Sequence, residues 1–336
     1  MTSVLLLFGG ASSEHDVSIA SALNVAKSIS AEKYAVTYAF IDKEGQWWKV
    51  DEVPGTVAEH TPKITPLFEE SLFQIGNDTF RPDVIFPCLH GKDGEDGVVQ
   101  DLAEKLNIPI VGCGVKASEA GINKILTKHI VQPLGIQTIP YQTHTAGDPI
   151  PSFIDLAATL SEKLFVKPVN AGSSIGAHKV SSQDELATAI EDAHLYDAEV
   201  MIETAVDPRE LEVALLGNTP NVEASPVGEI VPDEEFYSYE SKYSPDSTSG
   251  IITPANIPDE LSDKIRQQAL VVYNAIGGTG LSRADFFLDK TTGELYFNEI
   301  NTMPGFTNIS MYPKLWEITG ISNEALMDKL ITLALE

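Results

Sequence analysis

The sequence contains few cysteines and no long apolar run. Its two cysteines, Cys88 and Cys113, are too few for a disulfide framework or a zinc cluster. No segment approaches the ~20 consecutive apolar residues of a membrane-spanning helix. The apolar run at residues 4–8 has no basic leader or cleavage site beside it. These absences predict a soluble cytoplasmic protein that does not bind membranes.

Basic residues are also scarce. The chain has 22 Lys and Arg against 49 Asp and Glu, a formal net charge of −27. This excess argues against nucleic acids or acidic membranes as partners, because both are polyanions. It does not exclude a phosphorylated small molecule, since a few lysines can dominate the field inside a cleft. The length of 336 residues allows two or three folding units.

Two common nucleotide-binding motifs are missing. The segment GGASS lacks the Gly-x-Gly-x-x-Gly spacing of a dinucleotide fingerprint. The glycine- and serine-rich segment 169–180 lacks the Gly-Lys-Ser/Thr of a Walker P-loop. Neither of these phosphate sites is therefore predicted.

The first 115 residues repeat a strand–turn–helix pattern. Apolar strands are predicted at 4–8 and 83–89, each followed by a glycine-rich turn and a helix, and a short closing strand is predicted at 108–111. Fully apolar strands are typical of a parallel sheet. We therefore predict an N-terminal α/β domain.

Glu14 and His90 follow these strands. Each lies at the carboxyl end of a strand, the edge where ligands bind in open α/β sheets. Either residue can also be structural: the helix dipole favours a carboxylate at the position of Glu14, and a lone His is often simply hydrogen-bonded. The pattern alone leaves both alternatives open.

A phosphate site is predicted in the next hundred residues. One helix, interrupted at Pro133, is expected over 116–134 and contains Lys124 and Lys128. Lys167 lies within an apolar strand, where an unpaired lysine is rare. The small-residue loop that follows offers hydroxyl and N–H groups that can close over phosphates. A plain hairpin turn is the alternative.

Carboxylates follow the strand predicted at 199–203. Glu203 ends that strand, and Glu210 and Glu212 come shortly after it. An acceptor at the strand end can meet an adenine amino group, and a carboxylate a few residues on can hold ribose hydroxyls. Solvated surface acids are the alternative for each.

The stretch 281–305 predicts a β-hairpin, with strands at 281–288 and 295–300. Residues two apart share a face of a strand, so Arg283 lies with Asp285, and Glu299 with Asn301. Carboxylate and amide oxygens suit Mg²⁺ rather than zinc. If the faces coincide, the hairpin is a magnesium site; otherwise it is a polar edge. After it, Gly305 allows close backbone approach, so its N–H can serve as an oxyanion donor.

A long polar loop, residues 231–254, precedes the hairpin. It contains several Tyr, Ser, Asp and Pro residues, with Lys242 and Tyr243 near its middle. Loops of this length are usually functional lids or disordered. We predict a mobile lid that places a cation and a phenol over a cleft, with an ordinary surface loop as the alternative.

Four segments together resemble one family. They are FGGASSEHDVS, FPCLHGKDGEDG, VKPVNAGSSIG and NEINTMPGFT. With them the chain resembles the D-alanine–D-alanine ligases of the ATP-grasp superfamily nearly end to end, most weakly over 49–77. The resemblance implies a Rossmann-like domain at 1–115, a central ATP-grasp lobe at 116–212 and a C-terminal ATP-grasp lobe at 213–336.

The resemblance also implies roles for individual residues. Lys124, Lys167 and Lys242 would bind phosphates, and Gly172, Ser173 and Ser174 would cover them. Glu203 and Glu210 would hold adenine and ribose. Asp285, Glu299 and Asn301 would ligate two Mg²⁺, with Mn²⁺ as a possible substitute. Glu14 would pair with the ammonium of the first D-alanine, in a hydrogen-bonded set with Ser173 and Tyr243. Ser310, with His90 nearby, would take the second D-alanine, and Arg283 and the Gly305 N–H would stabilise the oxyanion.

The implied activity is the ATP-dependent joining of two D-alanine molecules through an acyl phosphate, with release of ADP and phosphate, for peptidoglycan precursors. Tyr243 stands where the dipeptide-forming members have Tyr, so D-alanyl-D-alanine is the expected product. The resemblance to this family also implies a homodimer. Two rivals are an ATP-grasp ligase for another carboxylate and amine, and a non-catalytic nucleotide-binding regulator.

Overall fold

The computed structural model describes residues 1–58, 60–232 and 250–336. Within these ranges the chain is a mixed α/β structure with four β-sheets. The predicted lid residues Lys242 and Tyr243 lie outside the described residues. None of the helices in the described ranges is long and apolar enough to cross a membrane.

The N-terminal part is a four-stranded sheet with helices against it. The elements in chain order are β1 (Thr2–Gly9), α1 (His15–Ser28), β2 (Tyr34–Ile41), β3 (Trp47–Val50), β4 (Ile64–Leu67), β5 (Leu72–Ile75), β6 (Asp78–Phe80), β7 (Val84–Cys88) and α2 (Val98–Lys105). Strands β4, β5 and β6 form a separate small antiparallel sheet. The strand order is β3-β2-β1-β7, and β1 is parallel to both β2 and β7. The predicted α/β class is confirmed. The closing strand predicted at 108–111 is wrong, because Ile110 forms only an isolated parallel bridge with Ile85.

Two helices replace the single helix predicted over 116–134. They are α3 (Val115–Ile122) and α4 (Lys124–Val131), followed by a 3₁₀ turn (Gln132–Leu134). The break falls at Asn123, whose backbone is extended and whose side chain accepts a 2.8 Å hydrogen bond from the Leu126 N–H. An Asn at an N-cap satisfies an otherwise unpaired helix donor. The second helix therefore begins at Lys124.

The central sheet is antiparallel. Its elements are β8 (Tyr141–Thr145), α5 (Phe153–Thr159), β9 (Leu164–Pro168), β10 (His178–Val180), α6 (Gln183–Ala193) and β11 (Glu199–Thr204). The strand order is β10-β9-β11-β8. Strands β9 and β10 flank the small-residue loop and pair antiparallel to each other.

The C-terminal sheet has six strands in the described residues. The elements are β12 (Pro208–Asn218), β13 (Asn221–Ala224), β14 (Gly228–Val231), β15 (Gly250–Ile252), α7 (Asp259–Ile276), β16 (Leu281–Asp289), β17 (Leu295–Asn301), α8 (Met311–Glu317) and α9 (Asn323–Leu335). The path runs β15-β14-β12-β16-β17, with β13 paired to β12. Strand β12 is long enough to place Glu210 and Glu212 within the sheet, on one face.

The predicted hairpin is present as β16 and β17, and it contains a bulge. Asp285 lies opposite Glu299, yet the next residue, Phe286, lies opposite Phe297, so Asn298 is an extra residue on β17. One extra residue reverses the alternation of faces. Phe297 therefore packs against Phe286 in the core, with ring centroids 5.6 Å apart, while Glu299 lies on the opposite face.

The C-terminal helices complete the core of the N-terminal sheet. Leu6 and Phe86 belong to the same buried cluster as Tyr312 on α8 and Leu330 on α9. The burial of this apolar surface stabilises both ends of the chain together. The first and last parts of the chain therefore share one hydrophobic core.

Candidate active site

A cleft of about 260 Å³ lies where the N-terminal part, the central sheet and the C-terminal sheet meet. It is lined by every sequence-predicted site residue within the described ranges. These are Glu14, His90, Lys124, Lys167, Gly172, Ser173, Ser174, Glu203, Glu210, Arg283, Asp285, Glu299, Asn301, Gly305 and Ser310. Residues from distant parts of the sequence thus face one space.

The hairpin gives the cleft its acidic wall. Arg283 lies opposite Asn301 and Asp285 opposite Glu299 on the paired strands. Arg283 donates from Nε and Nη2 to the two carboxylate oxygens of Asp285, both at 2.7 Å. Burial opposes the charge of Arg283, but Asp285 and Glu212 outweigh it and raise its pKa well above the ordinary value. The guanidinium is therefore a permanent cation beside three carboxylates.

The donors on this wall fit a hard divalent cation. Asp285, Glu299 and Asn301 supply two carboxylates and an amide, the oxygen ligands that Mg²⁺ prefers. The Asn301 Oδ1 accepts a 2.8 Å hydrogen bond from the Met303 N–H, which fixes the orientation of the amide. In residues 1–58, 60–232 and 250–336, no three His, Cys, Asp or Glu side chains form a metal-binding group by themselves. The Asn301 amide oxygen is thus the third donor beside the carboxylates of Asp285 and Glu299.

A chain of buried charges forms the opposite wall. Lys167 Nζ is 2.6 Å from Glu203 Oε1, and Lys128 Nζ donates to Glu203 Oε2 at 2.8 Å. Burial raises the pKa of Glu203, but the two lysines outweigh it and hold that pKa below its ordinary value. Sequence reasoning assigned no role to Lys128; its position four residues after Lys124, on the same helix face, was the available signal.

Lys124 connects the two walls. Its Nζ donates to the Ala171 carbonyl at 2.7 Å and lies 3.5 Å from Glu299 Oε2. Burial lowers the pKa of Lys124, partly offset by the charge of Glu299. The break at Asn123 is what directs this lysine into the cleft, as the first residue of α4.

The small-residue loop closes one side of the cleft. Ser173 and Ser174 have φ angles of 52° and 60°, in the left-handed region that non-glycine residues seldom adopt. Such strain persists where surrounding contacts impose it, and it is frequent at ligand sites. Here the Ser173 hydroxyl donates to the Glu14 carboxylate. The loop is thereby tied to the N-terminal part of the chain.

A buried polar group surrounds His90. Its Nε2 is 2.9 Å from the Ser21 hydroxyl, which also accepts the Phe306 N–H at 3.1 Å. Its Nδ1 is 3.8 Å from Glu95 Oε1. Burial, with the charge of Glu14, raises the pKa of Glu95 against the opposing effect of His90. Sequence reasoning missed Glu95, although it lies in the glycine-rich turn, GKDGEDG, that directly follows His90.

Gly305 and Ser310 form the last corner. A Cβ atom on Gly305 would lie 2.9 Å from the Ser310 hydroxyl, so a side chain at this position would displace that hydroxyl. The Ser310 Oγ accepts a 2.9 Å hydrogen bond from the Thr307 N–H. The backbone at Gly305 can thus approach a bound molecule closely.

Family models match most of the chain. The model described as "D-ala D-ala ligase N-terminus" matches residues 3–113, and that described as "D-ala D-ala ligase C-terminus" matches residues 130–332. A D-alanine--D-alanine ligase of Chlorobium luteolum is 44% identical, covering 100% of this chain and 97% of the relative. One from Enterococcus faecalis is 40% identical, covering 99% and 98%.

Solved structures agree with these matches. D-alanyl-alanine synthetase A from Vibrio cholerae has a TM-score of 0.88 at 34% identity, covering 100% of this chain and 99% of that one. VanG D-Ala:D-Ser ligase from Enterococcus faecalis has a TM-score of 0.89 at 33% identity, covering 99% of each chain. The mixed α/β fold with several sheets is therefore shared with solved ligases of this kind.

Proposed function

The chain belongs to the D-alanine–D-alanine ligase family, and from that membership we propose that it joins two D-alanine molecules to D-alanyl-D-alanine with consumption of ATP. As a member of this family it is a ligase, and D-alanine and ATP are its small-molecule substrates. The proposed products are dipeptide, ADP and phosphate, with a role in making peptidoglycan precursors in the cytoplasm.

One observation carries this proposal: Arg283 and Asp285 on β16 lie directly opposite Asn301 and Glu299 on β17, facing a cleft. Lys124 reaches the same wall from α4, 3.5 Å from Glu299. The Lys and Arg cations, together with divalent ions held by the oxygen donors, could neutralise a polyphosphate while the reactants are held in line. A non-catalytic regulator has no need for this set.

The nucleotide is proposed to lie between the central and C-terminal sheets, in the manner of an ATP-grasp fold. Lys124 and Lys167 would hold phosphates beneath the loop of Gly172, Ser173 and Ser174. Glu210, on the cleft face of β12, would hold the ribose. Glu203 would lie near the adenine; because both its oxygens face lysines at 2.6 and 2.8 Å, it would also hold Lys167 in place. Lys242 would act from the segment outside the described residues.

The domain division follows the same proposal. Residues 1–115 would form the Rossmann-like domain on the first-substrate side, and 116–212 and 213–336 the two ATP-grasp lobes. Segment 231–254 would supply Lys242 and Tyr243 to the cleft; it was predicted as a loop throughout, but its described end, Gly250–Ile252, is strand β15. A homodimer is the proposed assembly.

Asp285, Glu299 and Asn301 would hold the divalent ions. We propose two Mg²⁺, with Mn²⁺ as a possible substitute. When bound, such ions neutralise phosphate charge and favour in-line transfer.

The first D-alanine would sit with its ammonium against Glu14, beside Ser173. Its carboxylate needs activation, because hydroxide is a poor leaving group; phosphorylation by ATP gives an acyl phosphate. The amine of the second D-alanine, held by Ser310 with His90 nearby, then attacks the acyl carbon. Arg283 and the Gly305 N–H would stabilise the resulting oxyanion, which collapses to the amide as the bond from the acyl carbon to the phosphate oxygen breaks and phosphate leaves. Exclusion of water from the cleft would protect the acyl phosphate from hydrolysis.

Product choice is the finer part of the proposal. Tyr243 would join Glu14 and Ser173 in one hydrogen-bonded set. It would favour an amine over a hydroxyl group as the nucleophile. A structural relative is titled a D-Ala:D-Ser ligase, so D-serine is the appropriate competitor, with D-lactate as the ester-forming one.

The test is an incubation of the purified enzyme with Mg²⁺, ATP and D-alanine near neutral pH, alone and with equimolar D-serine or D-lactate. We expect ADP, phosphate and mainly D-alanyl-D-alanine in each. Mainly depsipeptide or D-alanyl-D-serine would overturn the product choice. Phosphate release only with another amino-acid pair would replace this activity by that of a different ATP-dependent ligase.

A further inference from the structure

Glu212 completes a row of carboxylates across the C-terminal sheet. It lies opposite Asp285, which lies opposite Glu299, on the neighbouring strands β12, β16 and β17. Directly opposed residues point to the same face of a sheet, and all three line the cleft. Glu212 is buried. Its place in this row marks it as part of the site rather than a surface acid.

Arg283 bridges two members of this row. Its Nε and Nη2 donate to both oxygens of Asp285 at 2.7 Å, and its Nε is also 3.1 Å from Glu212 Oε2. The guanidinium thus has two counter-ions on adjacent strands. Three carboxylates around one guanidinium leave an excess of negative charge on this wall.

Two demands meet at Asp285. It is the bidentate partner of Arg283, and under the proposed function it also holds a divalent cation. An oxygen that ligates a cation has less charge to offer a guanidinium. Arg283 then needs a second anchor to remain aimed at the reacting centre.

We propose that Glu212 is a positioning residue that keeps Arg283 in place when a divalent ion engages Asp285. The inference rests on the proposed function, in which Arg283 stabilises the oxyanion. It gives Glu212 a different task from Glu210, two residues earlier on the same face of β12. In this role Glu212 acts through Arg283 rather than on the nucleotide or the substrate.

The first arm is kinetic. Glu212→Gln keeps the size of the side chain and removes its charge, so kcat should fall by about 10- to 100-fold, part of the value of an oxyanion donor. The KM for ATP should stay within about threefold. Because Glu212 acts through Arg283, the double variant Glu212→Gln/Arg283→Ala should be no slower than Arg283→Ala alone. Losses that multiply, or a rise in the KM for ATP with unchanged kcat, as for a ribose ligand, would overturn the inference.

A matched control lies in the same sheet. Arg209 donates to both oxygens of buried Glu229, from Nε at 2.7 Å and Nη2 at 2.6 Å, and neither residue lines the cleft. Glu229→Gln breaks a Glu–Arg pair of the same kind, so it should leave kcat within about twofold of wild type. If Glu229→Gln lost as much kcat as Glu212→Gln, the loss in both variants would reflect general destabilisation, and the inference would be overturned.

The second arm does not depend on turnover. The chain has only four arginines, Arg81, Arg209, Arg266 and Arg283, so their Nε–H signals can be resolved by NMR of arginine-labelled protein. With Mg²⁺ alone, the Arg283 Nε–H should stay protected from solvent exchange in wild type and exchange at least about tenfold faster in Glu212→Gln. The Arg209 signal should not change. The same response of Arg283 to Mg²⁺ in both proteins would overturn the inference.

The conservative variant keeps the test decisive. Glu212→Asp keeps the carboxylate but shortens the side chain by one methylene. Its loss of kcat should therefore be smaller than that of Glu212→Gln. If Glu212→Gln does not fold, Glu212→Asp carries both arms, and wild-type kcat with a wild-type Arg283 signal would overturn the inference. Because the NMR arm uses Mg²⁺ without D-alanine or ATP, failure of the proposed ligation would be seen separately, as absence of dipeptide from wild type.

Discussion

At Arg283, a half-buried cation is held among carboxylates rather than paired with one. Asp285 takes two of its hydrogen bonds and Glu212 lies 3.1 Å from its Nε. A guanidinium with such partners is held in one orientation and is always charged. Rigidity and charge are what stabilisation of a developing oxyanion requires.

Replacing this residue tests that role. Arg283→Ala should lower kcat by about 10²- to 10³-fold, the usual value of one oxyanion donor. The matched control is Arg266→Ala on α7, an arginine that bonds main-chain carbonyls of Ala224 and Ser225 and does not line the cleft. Steady-state kinetics on both variants decide the matter. A loss of only a few-fold for Arg283→Ala would contradict the role.

Glu95 is the residue at which pH should act on stability. Burial and the nearby charge of Glu14 raise its pKa above the ordinary 4.5, against the opposing effect of His90. A group with a raised folded-state pKa contributes stability that is complete below its unfolded pKa. That contribution is lost as pH rises through the folded value.

Glu95→Gln should therefore gain stability relative to wild type as pH rises from about 5 to 8, because the amide never has to ionise. Urea unfolding at several pH values measures the difference in free energy of unfolding. Glu69→Gln, at an exposed carboxylate, controls for the loss of one charge. A difference for Glu95→Gln that is constant with pH would refute the assignment.

The contacts that sequence reasoning missed at this scale share one property. Glu95 and Lys128 were not predicted as site residues, and Glu212 was predicted only as a ribose ligand or a surface acid, because each contact involves a partner distant in sequence. For Glu95 that partner is the charge of Glu14. Lys128 reaches Glu203 across 75 positions, and Glu212 reaches Arg283 across strands. Local spacing gives no account of such pairings.

Among the elements, the hairpin was predictable and its bulge was not. Residues 281–305 contain alternating polar residues and turn-forming residues, which predict the hairpin. The bulge at Asn298 can be identified only from the pairing of Phe286 with Phe297. The prediction of one helix over 116–134 was wrong for a related reason. Its periodicity continues through Asn123, and only the cap that Asn123 makes to Leu126 shows that one helix ends there.

The hairpin also supplies a paired test of the metal site. Glu299→Ala should abolish Mg²⁺-dependent turnover and leave thermal unfolding near wild type, because a carboxylate is lost from the cleft wall rather than from the core. Glu294→Ala, at the turn of the same hairpin, where it accepts from Gln137, should retain activity. Unchanged turnover of Glu299→Ala at ordinary Mg²⁺ concentrations would remove Glu299 from the metal site.

For the whole molecule, the shared core is the main feature that the sequence did not reveal. Leu330 on α9 is fully buried in a cluster that includes Leu6 on β1. Tyr34 also donates to Asp328 at 2.6 Å, joining β2 to α9. The four motif segments predicted which residues meet in the cleft, but not that the end of the chain packs against its beginning.

Leu330→Ala should lower the free energy of unfolding by about 2–5 kcal/mol, the usual cost of a large-to-small core change. In a Trp316→Phe background, tryptophan fluorescence comes only from Trp47 and Trp48 on β3. That signal therefore follows the unfolding of the N-terminal part. Leu335→Ala, at an exposed position of the same helix, is the control. An unshifted Trp47/Trp48 transition in Leu330→Ala would mean that the two ends unfold independently.

The central claim, that this cleft activates a carboxylate by phosphorylation, is tested most directly by following oxygen. D-Alanine labelled with ¹⁸O in its carboxylate is incubated with the enzyme, Mg²⁺ and ATP, and the released phosphate is analysed by mass spectrometry. An acyl phosphate requires one carboxylate oxygen to leave with the phosphoryl group, so phosphate carrying one ¹⁸O is expected for each dipeptide formed. Dipeptide formed together with unlabelled phosphate would contradict the account.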